Sequence, residues 1–296
     1  MKCTYSGMKN RQLTPVFIVG CPRSGTTLLQ SLLSAHPEVC SFPESHFFHH
    51  LLSSQNVCQK WLGIAPSNIR VDLEKFVRLL NDDSLMSLIP KRAICVEQYA
   101  QSFVNVLDAF TLKSNNHIWI EKTPIHLRYI KEIECFYDKP KFIHIIRSGI
   151  DVVSSLYEVT NKYPEEWGGA RSINACISRW LSDVRISLSY FDQPEHHMIP
   201  YEYLVKDTSS AVRQLCTFLG IVFDPSMLVN YGSMAEAVSL GSEPWKDTVS
   251  DAIRVDRGKK KENLFDMSQR DYIAAKLSVI NSSKSFERLY DFDKLG

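Results

Sequence analysis

The stretch Pro15-Val16-Phe17-Ile18-Val19-Gly20-Cys21-Pro22-Arg23-Ser24-Gly25-Thr26-Thr27-Leu28-Leu29 decides the fold. Its first five residues form an unbroken apolar run closed by Gly20, the pattern of a strand buried on both faces, which belongs in a parallel sheet covered by helices. Leu28, Leu29, Leu32 and Leu33 then recur at helical spacing, and the helix must end before Pro37. A strand, a glycine-containing turn and a helix in that order bring main-chain N–H groups and the positive end of a helix dipole to one point. That is an anion site.

Outward from this unit, short apolar runs alternate with helical periodicity, as expected of a mostly parallel sheet with helices on its faces. Residues 117–120, 142–146 and 198–201 read as further strands. Thr123-Pro124 predicts a cap and first residue for a helix from 124 to about 135. Ser148 and Asp151 predict a capping box opening a helix to about 160. Further helices are expected over about 170–190, from Asp207 to about Leu219, from Asp224-Pro225, and over about 268–291. Residues 45–115 show helical stretches around 72–80 and 97–110 and no clear strand, so they read as a helical insertion between strands. The fold class is therefore α/β, a three-layer α/β/α arrangement with a P-loop-like parallel sheet. Residues 1–14 are expected to be an N-terminal tail and 15–296 a single domain.

The chain has 296 residues, 44% hydrophobic and 23% charged, with net charge +1. That balance is globular and gives no global field for nucleic acid or an anionic membrane. The eight cysteines are scattered, without zinc spacing, and read as reduced thiols. The first fourteen residues lack a signal-peptide core, and no run of about 20 apolar residues occurs. These features predict a cytoplasmic protein with no membrane span. No feature specifies an oligomeric state.

Gly20 and Gly25 have P-loop spacing, but Thr26 stands where nucleotidases carry lysine. Arg23 is the replacement charge within the loop. The strand 142–146 ends in Arg147, where a magnesium-binding enzyme would carry an acidic residue. A cation in that place predicts a ligand neutralised by the protein, with no metal. Arg147 lies at a strand's C-terminal end, where open α/β sheets bind ligands, and Ser155 follows about two turns into the next helix. An arginine and a serine hydroxyl converging on one phosphate would give a charge-assisted contact plus a neutral one. Ser154 lies on a different face. The rivals are a P-loop nucleotide kinase or NTPase and a non-catalytic nucleotide-binding module.

Pro22-Arg23-Ser24-Gly25-Thr26-Thr27, Ala35-His36-Pro37 and Pro43-Glu44 together resemble the sulfotransferases that use 3′-phosphoadenosine 5′-phosphosulfate (PAPS), especially the protein-tyrosine sulfotransferase branch and its bacterial relatives. Arg147 with Ser155 resembles that family's grip on the 3′-phosphate. Pro200-Tyr201-Glu202-Tyr203-Leu204 resembles its tyrosine–glutamate strand end, and Gly258-Lys259-Lys260-Lys261 its basic segment closing over the nucleotide. The likeness runs from about 15 to 45 and from about 117 to 290.

The resemblance implies transfer of a sulfuryl group from PAPS to a hydroxyl, leaving adenosine 3′,5′-bisphosphate (PAP). Arg23, Ser24, Gly25, Thr26 and Thr27 would hold the 5′-phosphosulfate, and Arg147, Ser155, Tyr201 and Lys259 the remainder of the nucleotide. Glu44 is the expected base, with His46 as its rival. Lys122 would bridge leaving and transferring groups, with Arg23 sharing that duty. The acceptor stays open between a peptide tyrosine, a carbohydrate and a small natural product. Phe47, Phe48, Trp61 and Trp167 either line its pocket or belong to the core. His144 and Trp180 read as core residues.

Overall fold

Val16 and Ile18 turn to one side of strand β1 (Thr14–Gly20), Phe17 and Val19 to the other, and all four are fully buried. A strand buried on both faces needs a covering layer on each side. The computed structural model, which describes residues 13–53, 62–238 and 264–291, supplies both. The remaining strands are β2 (Val39–Ser41), β3 (Ile118–Lys122), β4 (Lys141–Ile146) and β5 (His196–Pro200). They form one sheet in the order β2-β3-β1-β4-β5, and every neighbouring pair is parallel.

The helices in chain order are α1 (Thr26–Ser34), α2 (Phe47–Ser53), α3 (Ile69–Leu79), α4 (Val96–Lys113) and α5 (Ile130–Ile133). Then come α6 (Gly149–Lys162), α7 (Ile173–Ser189), α8 (Tyr201–Lys206), α9 (Thr208–Leu219), α10 (Ser226–Val229), α11 (Tyr231–Val238), α12 (Met267–Asn281) and α13 (Lys284–Leu289). On one face, Val16, Ile18, Ile120 and Ile145 pack with leucines of α1 and with α8 and α9. On the other, Phe17, Trp119 and Phe142 pack with α2, α3 and α4. The Phe17 ring lies 5.3 Å from Trp119 edge-on and 5.4 Å from Phe142 stacked. A third cluster beside Cys21 and Ile146 joins α6, α7, α12 and α13, with Trp180 fully buried and Trp167 at its edge.

The three-layer expectation holds, as do β1, α1 and the helical character of the described residues within 45–115, which lie between β2 and β3. Several local expectations do not. Strand β2, only three residues long, is additional. Strand β3 runs on to Lys122, so Lys122 ends the strand instead of following it. The helix expected over 124–135 is a 3₁₀ turn over Pro124–Tyr129 followed by α5. Thr123 does not cap it: its hydroxyl donates to Glu121 Oε1 at 2.6 Å, and the first turn closes through His126 N–H to the Thr123 carbonyl at 2.9 Å. Ser148 likewise makes no side-chain cap at α6; its own N–H donates to Glu202 Oε1 at 2.8 Å. The reaching carboxylate comes from α8 instead of Asp151. Tyr201, expected to end a strand, is the first residue of α8, because β5 stops at Pro200 on the sheet edge, where a missing N–H is tolerated.

Asp108 of α4 accepts from the Trp119 indole at 2.9 Å, and burial pushes its carboxyl up from 3.8 to about 6 against that hydrogen bond. A carboxyl raised on folding contributes most below the unfolded value, and that contribution is lost as pH rises through about 6. Asp108→Asn keeps an acceptor for Trp119 and removes the charge. It should raise stability by about 1–3 kcal/mol at pH 8 and leave it unchanged near pH 3, read from urea midpoints.

Candidate active site

Parallel strands send all their C-terminal ends to one edge of the sheet, and the predicted site residues follow five different strands. Glu44 lies three residues beyond β2, Lys122 ends β3, residues 23–27 follow β1, Arg147 follows β4, and Tyr201 follows β5. Strand order therefore sets their order along the edge as Glu44, Lys122, loop, Arg147, Tyr201. Four strand spacings cover about 19 Å.

The loop is built to be open to an anion. Gly20 crosses so close to β4 that a Cβ there would meet the Ile145 carbonyl at 2.6 Å. Gly25 has φ +96°, and a Cβ on it would enter the Tyr201 ring. Arg23 is also left-handed, at φ +73°, an uncommon and strained setting for a residue that carries a Cβ. Helix α1 begins at Gly25 with no side-chain cap and no acidic residue in its first turn. Its first N–H groups thus have no intrahelical or side-chain partner. Ser24 adds a buried hydroxyl with no hydrogen-bond partner among the described residues. Thr26 and Thr27 are buried beside it.

Arg23 and Ser155 come together although 132 positions apart: Arg23 Nε donates to Ser155 Oγ at 3.1 Å. The neighbouring Ser154 bonds back to the Ile150 carbonyl inside α6, as a helix serine does without other work. Arg147 stacks 4.3 Å over the Tyr201 ring and lies 3.9 Å from Asp151, while its buried Nε has no hydrogen-bond partner among the described residues. Tyr201 thereby touches both the loop glycine and the β4 arginine. Behind it, Glu202 accepts from Ser148 N–H and from Tyr290 OH at 3.1 Å. Burial and the Glu202 carboxylate push the Tyr290 hydroxyl far above its ordinary range, so it stays a donor. Lys259 lies outside the described residues.

At the other end, Lys122 is fully buried and pairs with Glu44, whose carboxylate is mostly buried. Lys122 Nζ also stands 3.5 Å from Thr27 Oγ1, joining the base end to the loop. His46 Nε2 faces the other carboxylate oxygen of Glu44 at 3.5 Å. Desolvation lowers the His46 imidazole below its usual range, outweighing the pull of Glu44. Glu44 and His46 thus stand together at the Lys122 end of the edge, the carboxylate between the ammonium and the imidazole. Phe47 and Phe48 are core residues, Phe47 stacking on Phe103 at 4.2 Å. Trp61 lies outside the described residues. Sequence reading missed Gln30, which reaches from α1 to the Phe42 carbonyl at 2.7 Å, and Glu121, which anchors Ser45 at 2.8 Å. Neither carries a local signal: one is a helix polar residue, the other a strand residue in an apolar run.

Residues 15–225 match the model of a family described as the sulfotransferase family. The chain belongs to the sulfotransferase family. Protein-tyrosine sulfotransferase A of Caenorhabditis elegans is 24% identical over 251 residues, covering 83% of this chain and 60% of that protein. The chain spans little more than half the length of further protein-tyrosine sulfotransferases it matches. Among solved structures, the sulfotransferase domain from the curacin biosynthetic pathway superposes with TM-score 0.61 at 22% identity, covering 91% of this chain and 99% of that one. Mouse sulfotransferase SULT7A1 complexed with PAP superposes with TM-score 0.52 at 13% identity, covering 97% and 91%. These likenesses fix this sulfotransferase's α/β fold.

Gly25 carries a testable constraint. Gly25→Ala forces a side chain into left-handed geometry and into the Tyr201 ring. It should lower stability by about 1–3 kcal/mol in urea unfolding, whereas Gly168→Ala, also left-handed but with nothing near its Cβ, should show only the smaller strain cost.

Proposed function

We propose that this sulfotransferase moves a sulfuryl group from PAPS to an acceptor hydroxyl, with a peptide tyrosine as the first acceptor to test. The observation that carries the reading is a pair of buried donors along one edge that have no partner among the described residues: Ser24 Oγ in the loop and Arg147 Nε beside Tyr201. Two donor positions, one at a helix N-terminus and one flanked by an aromatic ring, suit a nucleotide with two separate phosphate groups. The Arg23–Ser155 hydrogen bond supports it by tying the two halves of that edge together. The tyrosine acceptor is favoured by the names of the matched relatives.

PAPS, when bound, supplies the sulfuryl group and leaves as PAP. The loop N–H groups, Ser24 and Thr27 would hold the 5′ end, and Arg147 with Tyr201 the far end. Glu44 would take the proton of the attacking hydroxyl. While Glu44 is ionised, its charge is matched by Lys122. Once Glu44 is protonated, that match is gone, and the ammonium is available to the loop side, where Thr27 already lies within reach. Positive charge thus shifts toward the oxygen that gains negative charge as the old bond breaks, which is electrostatic stabilisation by a preorganised group.

Calorimetry should show PAP binding, with Mg-ATP binding far more weakly. Label from ³⁵S-PAPS should pass to a tyrosyl peptide, with an oligosaccharide and small alcohols and phenols completing the panel. Tight Mg-ATP binding without PAP binding would overturn the reading. Arg147→Ala should weaken PAP about 10–100-fold, the loss of a charge-assisted contact. Glu44→Gln should reduce turnover at least 100-fold while PAP affinity stays within about threefold.

A further inference from the structure

The segment that carries Glu44 leaves the sheet at a proline. Phe42 N–H still donates to the Ile120 carbonyl at 3.0 Å, continuing the β2–β3 ladder. Pro43 has no N–H, so the ladder stops there. Beyond it, residues 45–48 are held to β3 and its following turn by side chains. Ser45 N–H and Oγ–H both donate to Glu121 Oε1, at 3.2 and 2.8 Å. His46 N–H donates to Thr123 Oγ1 at 3.2 Å, and that hydroxyl donates in turn to Glu121 Oε1. Phe48 N–H lies 3.2 Å from His126 Nε2, while His126 Nδ1 lies 2.9 Å from Glu121 Oε2. An Nε2 that accepts a main-chain N–H carries no proton, so Nδ1 carries it and donates to Glu121. All these bonds lead to one fully buried carboxylate.

The arrangement straddles the end of β3. Side chains alternate along a strand, so Glu121 and Thr123 point to one side and Lys122 to the other. Ser45 and His46 are fixed on the first side, and Glu44 reaches Lys122 on the second. His46 is left-handed, at φ +50°, a conformation that persists only where the surroundings impose it. The bond from its N–H to Thr123 is such an imposition.

We propose that Glu121 is a positioning residue: by collecting donors from Ser45, Thr123 and His126 it sets where the Glu44 carboxylate stands between Lys122 and the acceptor hydroxyl. The inference rests on Glu44 being the base. A carboxylate is required because four donors converge on it; an amide offers one oxygen and turns an N–H₂ toward donors. A displacement of the base by about 1 Å is enough to cost on the order of 100-fold in rate.

The test measures ³⁵S-PAPS transfer to the tyrosyl peptide, oligosaccharide and small-hydroxyl panel, with active sites counted by PAP titration. Glu121→Gln should lower kcat per PAP site about 10–100-fold, with the KM for PAPS and the PAP affinity changed less than about threefold. In a Glu44→Gln background the same substitution should change the residual rate less than about twofold, because its effect passes through Glu44. Thr123→Ser should recover most of the rate that Thr123→Val loses. Ser45→Ala removes one donor and leaves the carboxylate intact; it should lower kcat about 3–10-fold and stands in if Glu121→Gln yields no folded protein. A purely structural Glu121 would lower the number of PAP sites while leaving kcat per site unchanged, or would slow the Glu44→Gln enzyme as much as the wild type; either result overturns the inference. If Glu44→Gln retains full turnover, or the wild type labels nothing in the panel, the base assignment fails and this inference fails with it. Loss of turnover in Glu44→Gln with full turnover in Glu121→Gln overturns the positioning role alone.

Discussion

Parallel pairing of all five strands is the constraint on which the rest of the molecule depends. It delivers five strand ends to one edge and obliges each connection to cross a face of the sheet. The faces are then covered, and the strands can be apolar on both sides, as Val16 to Val19 are. At that edge the chain leaves the sheet and its main-chain groups lose their ladder partners. The loop after β1 gathers those unmet groups, and the helix that follows aligns its dipole with them, an arrangement suited to an anion. A strand at the centre of the sheet has neighbours on both sides, so cations from β3 and β4 flank the loop without further design.

That flanking answers a question raised by the loop itself. Its P-loop spacing lacks the expected lysine, yet a lysine stands close by: Lys122 reaches Thr27 from the adjacent strand. Moving the cation from the loop to β3 changes what it can touch. A loop lysine faces only the ligand, whereas Lys122 faces the loop on one side and Glu44 on the other. A buried ammonium would carry a large desolvation penalty alone, and the carboxylate partner offsets it. The two residues therefore need one another for burial, and on the proposed reading for chemistry as well, so the segment carrying Glu44 must be held with comparable firmness.

What was legible in the sequence follows from how local each signal is. β1, its loop and α1 are contiguous and strongly patterned, so their form could be read directly. Arg147 could be placed because it directly follows an apolar strand. By contrast, β2 has three residues, Val-Cys-Ser, too few for a period to register. Ile199-Pro200-Tyr201 reads equally well as strand; only the sheet edge makes Pro200 its end and Tyr201 the start of α8. The Ser155 hydroxyl also meets Arg23, a partner 132 residues away that no spacing encodes. Glu121 was invisible for the same reason. A glutamate ending Ile-Trp-Ile looks like a strand terminus facing water, and its four donors come from residues before and after it in the chain.

The sheet also separates two kinds of packing. Phe17, Trp119 and Phe142 face α2, α3 and α4, whereas Ile18, Ile120 and Ile145 face α1, α8 and α9. The helices between β2 and β3 thus share a core with the segment bearing Glu44, while the helices that seat Tyr201 and open the loop lie across the sheet. Phe48 marks the junction: its ring packs at 5.4 Å on His126, and its N–H meets the same imidazole. Core packing of the insertion and hydrogen bonding of the Glu44 segment therefore converge on one histidine. On the proposed reading the insertion is therefore tied to the base end of the edge through that histidine, while the helices that seat Tyr201 and open the loop pack on the other layer. On the proposed reading, acceptor choice can be altered through the insertion while the phosphate loop keeps its geometry, since β1 contributes alternate side chains to the two layers and is fixed by both.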